Sequence, residues 1–298
     1  MKLGTKSTKS WAIYIGYSIV LTVALLYFLF PGNTIRNYVE QRVSDSGSGV
    51  ILTIDKVRPA FPIGLQFLDG EISLRGKSDI SPFAVERVRL FPRIGACLSG
   101  KGSFKFDGSA YKGEIDGSIR FPGYSISGPF DLDIHLEDVM LEEIASLRDM
   151  AGRHISGKLE GDITYAYGSG SFADGQGKCS FTVLNGSIEF PLPFLEPGGM
   201  QFLSMETVAR LANGRLVFER CELEGDGLRC GLTGTITLYK NIEDSIINIR
   251  GDIEPLKASF DNGNLSGAIL ALVGKQIKKE KIPFAIRGTI RAPKVTFM

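Results

Sequence analysis

The chain reads as a mainly β protein: an extended antiparallel sheet, curled into a half-barrel or gutter, behind an N-terminal transmembrane helix and with a few short helices. Three observations predict this. Residues 228–238, LRCGLTGTITL, alternate apolar or Gly at every even position with mostly polar odd ones, the period of a strand with one dry face and one wet face. The phrase inside it, Leu232-x-Gly234-x-Ile236, recurs at Leu68–Ile72, Ile115–Ile119, Leu159–Ile163, Leu184–Ile188, Ile249–Ile253 and Ile286–Ile290. No β-α-β alternation separates these copies, so the strands should form one meander.

Composition bounds the function. Hydrophobic residues make up 43% of the 298, enough to build a core. With 34 basic and 33 acidic residues the net charge is +1, which argues against nucleic acid as a partner. The 36 glycines, about 12% against a usual ~7%, fit tight turns and strand bends. Four cysteines without a C-x-x-C pair, and two histidines, make a structural zinc site a poor reading.

Residues 1–10 are assigned to a cytoplasmic tail and 11–30 to a transmembrane helix. The run Trp11–Phe30 carries no charge over 20 residues; as a helix it spans about 30 Å, the depth of a hydrocarbon core. Trp11, Tyr14, Tyr17 and Tyr27 lie toward its ends, and Lys2, Lys6 and Lys9 precede it, so the N-terminus is expected inside. A cleaved signal peptide would have an apolar run of about 7–15 residues; this one is longer and ends Tyr-Phe-Leu-Phe-Pro. The expectation is therefore an inner-membrane, single-pass protein whose bulk, 50–298, is a periplasmic β-domain.

Between anchor and domain, 31–49 holds a short amphipathic helix and a linker. Ile35, Tyr38, Val39 and Val43 share one helical face, and the SDSGSG stretch after them is a flexible join. Strands are predicted at 50–57, 65–74 and 84–90. A hairpin follows over 104–121, turning around Asp107-Gly108, and then a strand at 125–137. Asp138 is expected to cap a helix to about Met150, with Met140, Ile144, Leu147 and Ala151 on its buried stripe. Strands resume at 155–167 and 178–190. Pro191, Pro193 and Pro197 make an exposed loop. The segment 204–212 is read as a strand because Asn213-Gly214 is a hairpin turn signal into 215–224. Strands at 228–238 and 246–254, a helix over Asn264–Ile277, and strands at 282–291 and 295–298 complete about twelve strands and three short helices.

The inward members of the repeated phrase are the candidate lining of an apolar interior: Ile115, Ile119, Leu159, Ile163, Leu184, Ile188, Leu232, Ile236, Ile249, Ile253, Ile286 and Ile290. The pattern suits a closed dry core or an open groove alike. Cys221 and Cys230 form a disulfide if their hairpin turns at Gly225-Asp226; a turn at Asp226-Gly227 offsets them by two residues and forbids it. Cys97 and Cys179 are read as free thiols.

Chemical motifs are weighed and set aside. GACLSGK (95–101) has the spacing of a phosphate loop, but Gly102 stands where a hydroxyl is needed and a strand follows it. Asp131, Asp133, His135 and Glu137 share one strand face, the pattern of a solvated surface. His154 adjoins Arg153 at the end of the expected helix and forms no sequence motif with a carboxylate or thiol, and no Gly-x-Ser-x-Gly elbow occurs. Lys275–Lys281 reads as a solvated helix end, and the sequons at Asn185 and Asn264 carry no weight. The expectation is a protein without catalytic residues, metal or cofactor.

The stretch IRNYVEQRVSDSGSGVILTIDKVRPAFPIGLQFLDGEISL (35–74) resembles the start of AsmA-like periplasmic proteins. LANGRLVFERCELEGDGLRCGLTGTITL (211–238) is similar to their Asn-Gly hairpin and Gly-x-Ile strand, and KKEKIPFAIRGTIRAPKVTF (278–297) to their closing strand pair. In length and layout the chain resembles the long form of the type II secretion N component. That resemblance implies a non-enzymatic part of the machinery that exports folded proteins, acting through other secretion proteins and the inner membrane. It also implies kinship with β-grooves that carry phospholipid or another hydrophobic ligand.

Overall fold

The computed structural model describes residues 5–45, 50–74, 80–123, 128–151, 154–169, 172–188, 200–225, 228–239, 242–255 and 281–297. Two helices, α1 (Thr5–Phe28) and α2 (Gly32–Asp45), open the chain. The strands are β1 (Val50–Ala60), β2 (Gly64–Leu74), β3 (Phe83–Pro92), β4 (Gly102–Ala110), β5 (Gly113–Phe121), β6 (Phe130–Met140), β7 (Ile155–Tyr167), β8 (Gln176–Ile188), β9 (Met200–Ala212), β10 (Arg215–Gly225), β11 (Leu228–Thr237), β12 (Ile246–Pro255), β13 (Ile282–Thr289) and β14 (Pro293–Phe297). Short helices α3 (Ile94–Leu98) and α4 (Ala145–Ala151) sit in two of the connections. Among the described residues, all fourteen strands form one antiparallel sheet in strict chain order, so β1 and β14 are its edges and the sheet is open. The expected helix at Asn264–Ile277, the 191–199 loop, the 46–49 join and most of the 275–281 lysine run lie outside the described residues.

α1 takes in residues 11–28 of the charge-free run and carries apolar side chains on all sides, not on one stripe. Among the described residues no helix is long and apolar enough to cross a membrane; the α1 side chains at 5–10, 12, 19, 23 and 26 are not among those described.

α2 is the expected helix, with Ile35, Val39 and Val43 half-buried, but part of its inward face is polar. Tyr38 is 53% exposed, whereas Arg36 and Glu40 turn inward onto β1. The Ile54 N–H donates to Glu40 Oε1 at 2.8 Å, Arg36 Nη1 donates to the Asp55 carbonyl at 3.1 Å, and Gly32 lies so close that a methyl there would be 2.4 Å from the Val57 carbonyl. Positions 32, 36 and 40 recur at four-residue spacing on one helical face, so the helix satisfies the free edge of β1 that would otherwise template another strand. Glu40→Ala should therefore cost about 1–2 kcal/mol by orphaning a part-buried amide; faster hydrogen exchange at the Ile54 amide is the readout.

Several local expectations gave way to register. The β4–β5 hairpin turns at Tyr111-Lys112, both left-handed at φ 52° and 63°, not at Asp107-Gly108. Gly108 is a strand residue that lets β3 approach: a methyl there would be 2.3 Å from the Arg87 carbonyl. Asp138 caps no helix; it takes φ 60° at a bulge between Leu136 and Val139, and β6 runs on to Met140 before the chain turns through Leu141–Glu143 into α4. The Asn213-Gly214 turn is present, with φ 52° and 70°. The phosphate-loop spacing falls on α3 followed by β4, so no helix begins after its lysine.

Inward glycines shape the sheet. A methyl at Gly117 would lie 2.1 Å from the Asp133 carbonyl, and one at Gly161 2.3 Å from that of Ser180. Neighbouring backbone thus passes close over these positions, where only Gly leaves room for it.

Candidate functional site

The site is that apolar face, and the strand registers assemble it. One cross-strand row runs through all fourteen strands: Val57, Phe67, Val88, Gly108, Ile115, Leu136, Gly161, Phe181, Thr207, Cys221, Leu232, Gly251, Phe284, Phe297. Thr207 is its one polar member, and its hydroxyl donates to Cys221 Sγ at 3.3 Å. The next row is apolar or Gly throughout: Pro59, Leu65, Leu90, Phe106, Gly117, Ile134, Ile163, Cys179, Ala209, Phe218, Gly234, Ile249, Ile286, Val295. Directly opposed residues share a face, so the rows are continuous stripes across the strands. At about 4.8 Å per strand spacing they follow the sheet for roughly 60 Å.

Of the twelve predicted lining residues, Ile115, Ile119, Leu159, Ile163, Ile188, Leu232, Ile236, Ile249, Ile253 and Ile286 stand on this face. Leu184 does not: it opposes Lys158 and Ser204 on the polar side. The cause is Asn185, held at φ 49°, which shifts the phase so that Val183 and then Gly186 point inward. Asp69, at φ 50°, does the same to Leu68, which opposes Lys56 and Arg87. Asp and Asn tolerate the left-handed conformation, so Leu-Asx-Gly is a local signal for a change of face that a period-2 reading passes over. Ile290 lies beyond the end of β13 and is 37% exposed.

Ile249 is 8% exposed and buried; the other nine inward lining residues are only half-buried. A closed core forms at one end, where Leu141, Val183, Phe202 and Leu223 are buried together and Ile144 and Leu147 pack onto them from the β6–β7 connection. Along β4–β7 the same face carries an aromatic run: Phe104–Phe121, Phe121–Phe130 and Phe130–Tyr167, with ring centroids 6.4, 6.1 and 5.3 Å apart.

The cysteines follow the two-residue offset. Cys221 opposes Leu232 and Cys230 opposes Leu223, so the two cysteines are offset by two residues across the β10–β11 pair. Both thiols are free, and the disulfide that a Gly225-Asp226 turn would align is not formed. Burial, helped by the Cys221 sulfur, pushes the Cys230 thiol up to about 11. From the ordinary 9.0 this leaves about 100-fold less thiolate at pH 8. Iodoacetamide should label Cys230 that much more slowly in the folded chain than after unfolding, read at the Cys230 peptide by mass spectrometry.

The polar face carries the residues weighed for metal binding, and cross-strand pairs engage Asp133 and His135. Arg120 Nη2 donates to Asp133 Oδ2 at 2.7 Å, Ser118 adds a bond at 3.2 Å, and His135 Nδ1 meets Asp162 Oδ1 at 2.8 Å. The hydrogen bond with Asp162 holds the His135 imidazole above its usual range, with Asp116 and Glu137 adding to it. A shallow depression of about 620 Å³ covers part of this face. Among the described residues, no three potential ligands are grouped to hold a metal.

The fold and its face thus define a single-layer antiparallel sheet with one continuous apolar surface. Comparison of the chain with protein-family profiles, curated proteins and solved structures gives no match.

Proposed function

We propose that this protein is a non-enzymatic, membrane-anchored β-gutter that holds phospholipid or another hydrophobic molecule along its apolar face. The observation that carries the reading is the pair of stripes crossing all fourteen strands with half-exposed aliphatic and aromatic side chains. Water contact with so much apolar surface is unfavourable, at about 25 cal/mol per Å², and an acyl chain lying along the stripes would relieve it. The inward glycines support a curled form. The charge-free run at 11–30, with Ile13, Val20 and Phe28 of α1 exposed at 70, 68 and 88%, supports an inner-membrane anchor. Lysines 2, 6 and 9 before it support a cytoplasmic N-terminus and a periplasmic sheet.

A photoreactive side chain at Ile163 should crosslink to phospholipid in cells, while one at Thr164, the next residue on the opposite face, should not. Equal labelling at the two positions would remove the reading.

The second reading, an accessory role in type II secretion through contacts with other machinery proteins, is supported by the resemblance over 35–74, 211–238 and 278–297. It predicts that deletion impairs export of folded substrates and leaves lipid composition intact; normal export in the deletion strain would sink it.

A further inference from the structure

We propose that the loops closing β1–β2 and β3–β4 form a second membrane contact, an apolar tip seated in the interface of a phospholipid bilayer beside the anchor. The proposal rests on the anchored-gutter reading and adds how the sheet stands on the membrane. Phe61 and Ile63 in the first loop are 79 and 62% exposed, and Ile94 and Leu98 in the second are 55 and 83% exposed. The two loops are neighbours: Leu65 pairs with Leu90, and Gly64 lies so close that a methyl there would be 2.7 Å from the Leu90 carbonyl and the Phe91 ring.

Their charge is one-sided. Segments 58–64 and 92–102 contain Arg58, Arg93 and Lys101 and no Asp or Glu, in a chain with 33 acidic residues overall. Exposed Phe, Leu and Ile flanked by Arg and Lys suit the headgroup–acyl boundary of an anionic leaflet, where apolar burial and electrostatic attraction add.

Position supports the same assignment. α2 runs antiparallel along β1, with Glu40 at Ile54, Arg36 at Asp55 and Gly32 at Val57. Continuing along β1 past Gly32 reaches Phe61 about 13 Å further on. Gly32 follows α1 by only three residues, and Phe28 and Leu29 there are 88 and 74% exposed. The tip therefore lies beyond the α1 end of α2, on the anchor side of the sheet. Pro59, Leu65 and Leu90, which begin the second apolar stripe, lie within a few residues of it. Seating the tip brings the first members of the stripe to the bilayer, where a lipid could pass onto the sheet.

The test uses the full chain in phosphatidylethanolamine–phosphatidylglycerol vesicles whose acyl chains carry bromine quenchers. Trp11 is the chain's sole tryptophan and reports the anchor. In a Trp11→Phe background, Phe61→Trp and Leu98→Trp report the tip, and Leu203→Trp, 55% exposed near the opposite strand ends, reports the far end. The expected result is blue-shifted, quenched emission from the two tip chains and unquenched, water-like emission from the Leu203→Trp chain. Unquenched tip chains with a quenched Trp11 would overturn the tip and leave the anchor. Quenched tip chains with an unquenched Trp11 would uphold the tip and remove the anchor. Equal quenching of the tip and Leu203→Trp chains would overturn the proposed orientation.

Discussion

Gly234→Ala should destabilise the protein by about 3 kcal/mol or more, because two separate penalties meet at that position. Gly234 has φ +152°, a conformation that side chains rarely adopt, and a methyl on it would sit 2.4 Å from the Asn248 carbonyl and 2.6 Å from Ile249 Cα. Those contacts are backbone atoms of β12, so no side-chain rotation relieves them; the paired strands must move apart. Gly231, three residues earlier on β11, provides the control. Its nearest neighbour to an added methyl is Asp252 Oδ1 at 3.8 Å, an ordinary contact, so Gly231→Ala should fall within about 0.5 kcal/mol of the parent. Paired denaturant melts of the two variants check both statements. Similar midpoints would mean that β11 and β12 are not held as closely as the structure has them.

Ile163→Asp should reduce phospholipid recovered with the purified chain by about tenfold or more, since a carboxylate would lose its water beneath a bound acyl chain. Ile163 occupies the fully apolar stripe, between Ile134 and Cys179. Its half-exposed position gives the introduced charge access to solvent while no lipid is bound, so the sheet should survive the change. Thr164→Asp places the same charge one residue away on the wet face and should leave lipid recovery at the parental level. Lipid extraction and quantification, with circular dichroism to verify the sheet, separates lost binding from lost folding. Parental lipid recovery from a folded Ile163→Asp chain would count against the apolar face as the binding surface.

Much of this surface could be read without coordinates. Period-2 alternation is a local property, and it identified strands at nearly every position where the sheet has one. It also placed ten of the twelve lining residues on the correct face. The Asn213-Gly214 turn was equally local, because both residues accept left-handed backbone. Other features depended on partners distant in sequence. Asp107-Gly108 has the composition of a turn, yet the approach of β3 keeps Gly108 inside a strand and moves the turn to Tyr111-Lys112. The α2 stripe Gly32, Arg36 and Glu40 could be found as a four-residue spacing, but its purpose required knowing that β1 is an edge.

The alternation of Leu232-x-Gly234-x-Ile236 and its relatives is thus enough to specify a one-sided antiparallel sheet, since a strand's two faces follow directly from its side-chain period. What alternation leaves open is register, and shifting a strand by one residue sends every side chain to the other face. Tertiary structure decided that by placing a left-handed residue at Asp69 and bulges at Asp138 and Asn185, offsetting Cys221 from Cys230, and packing Ile144 and Leu147 over one end of the sheet. Each of those outcomes depends on which backbone lies across from a residue, information that no single strand contains.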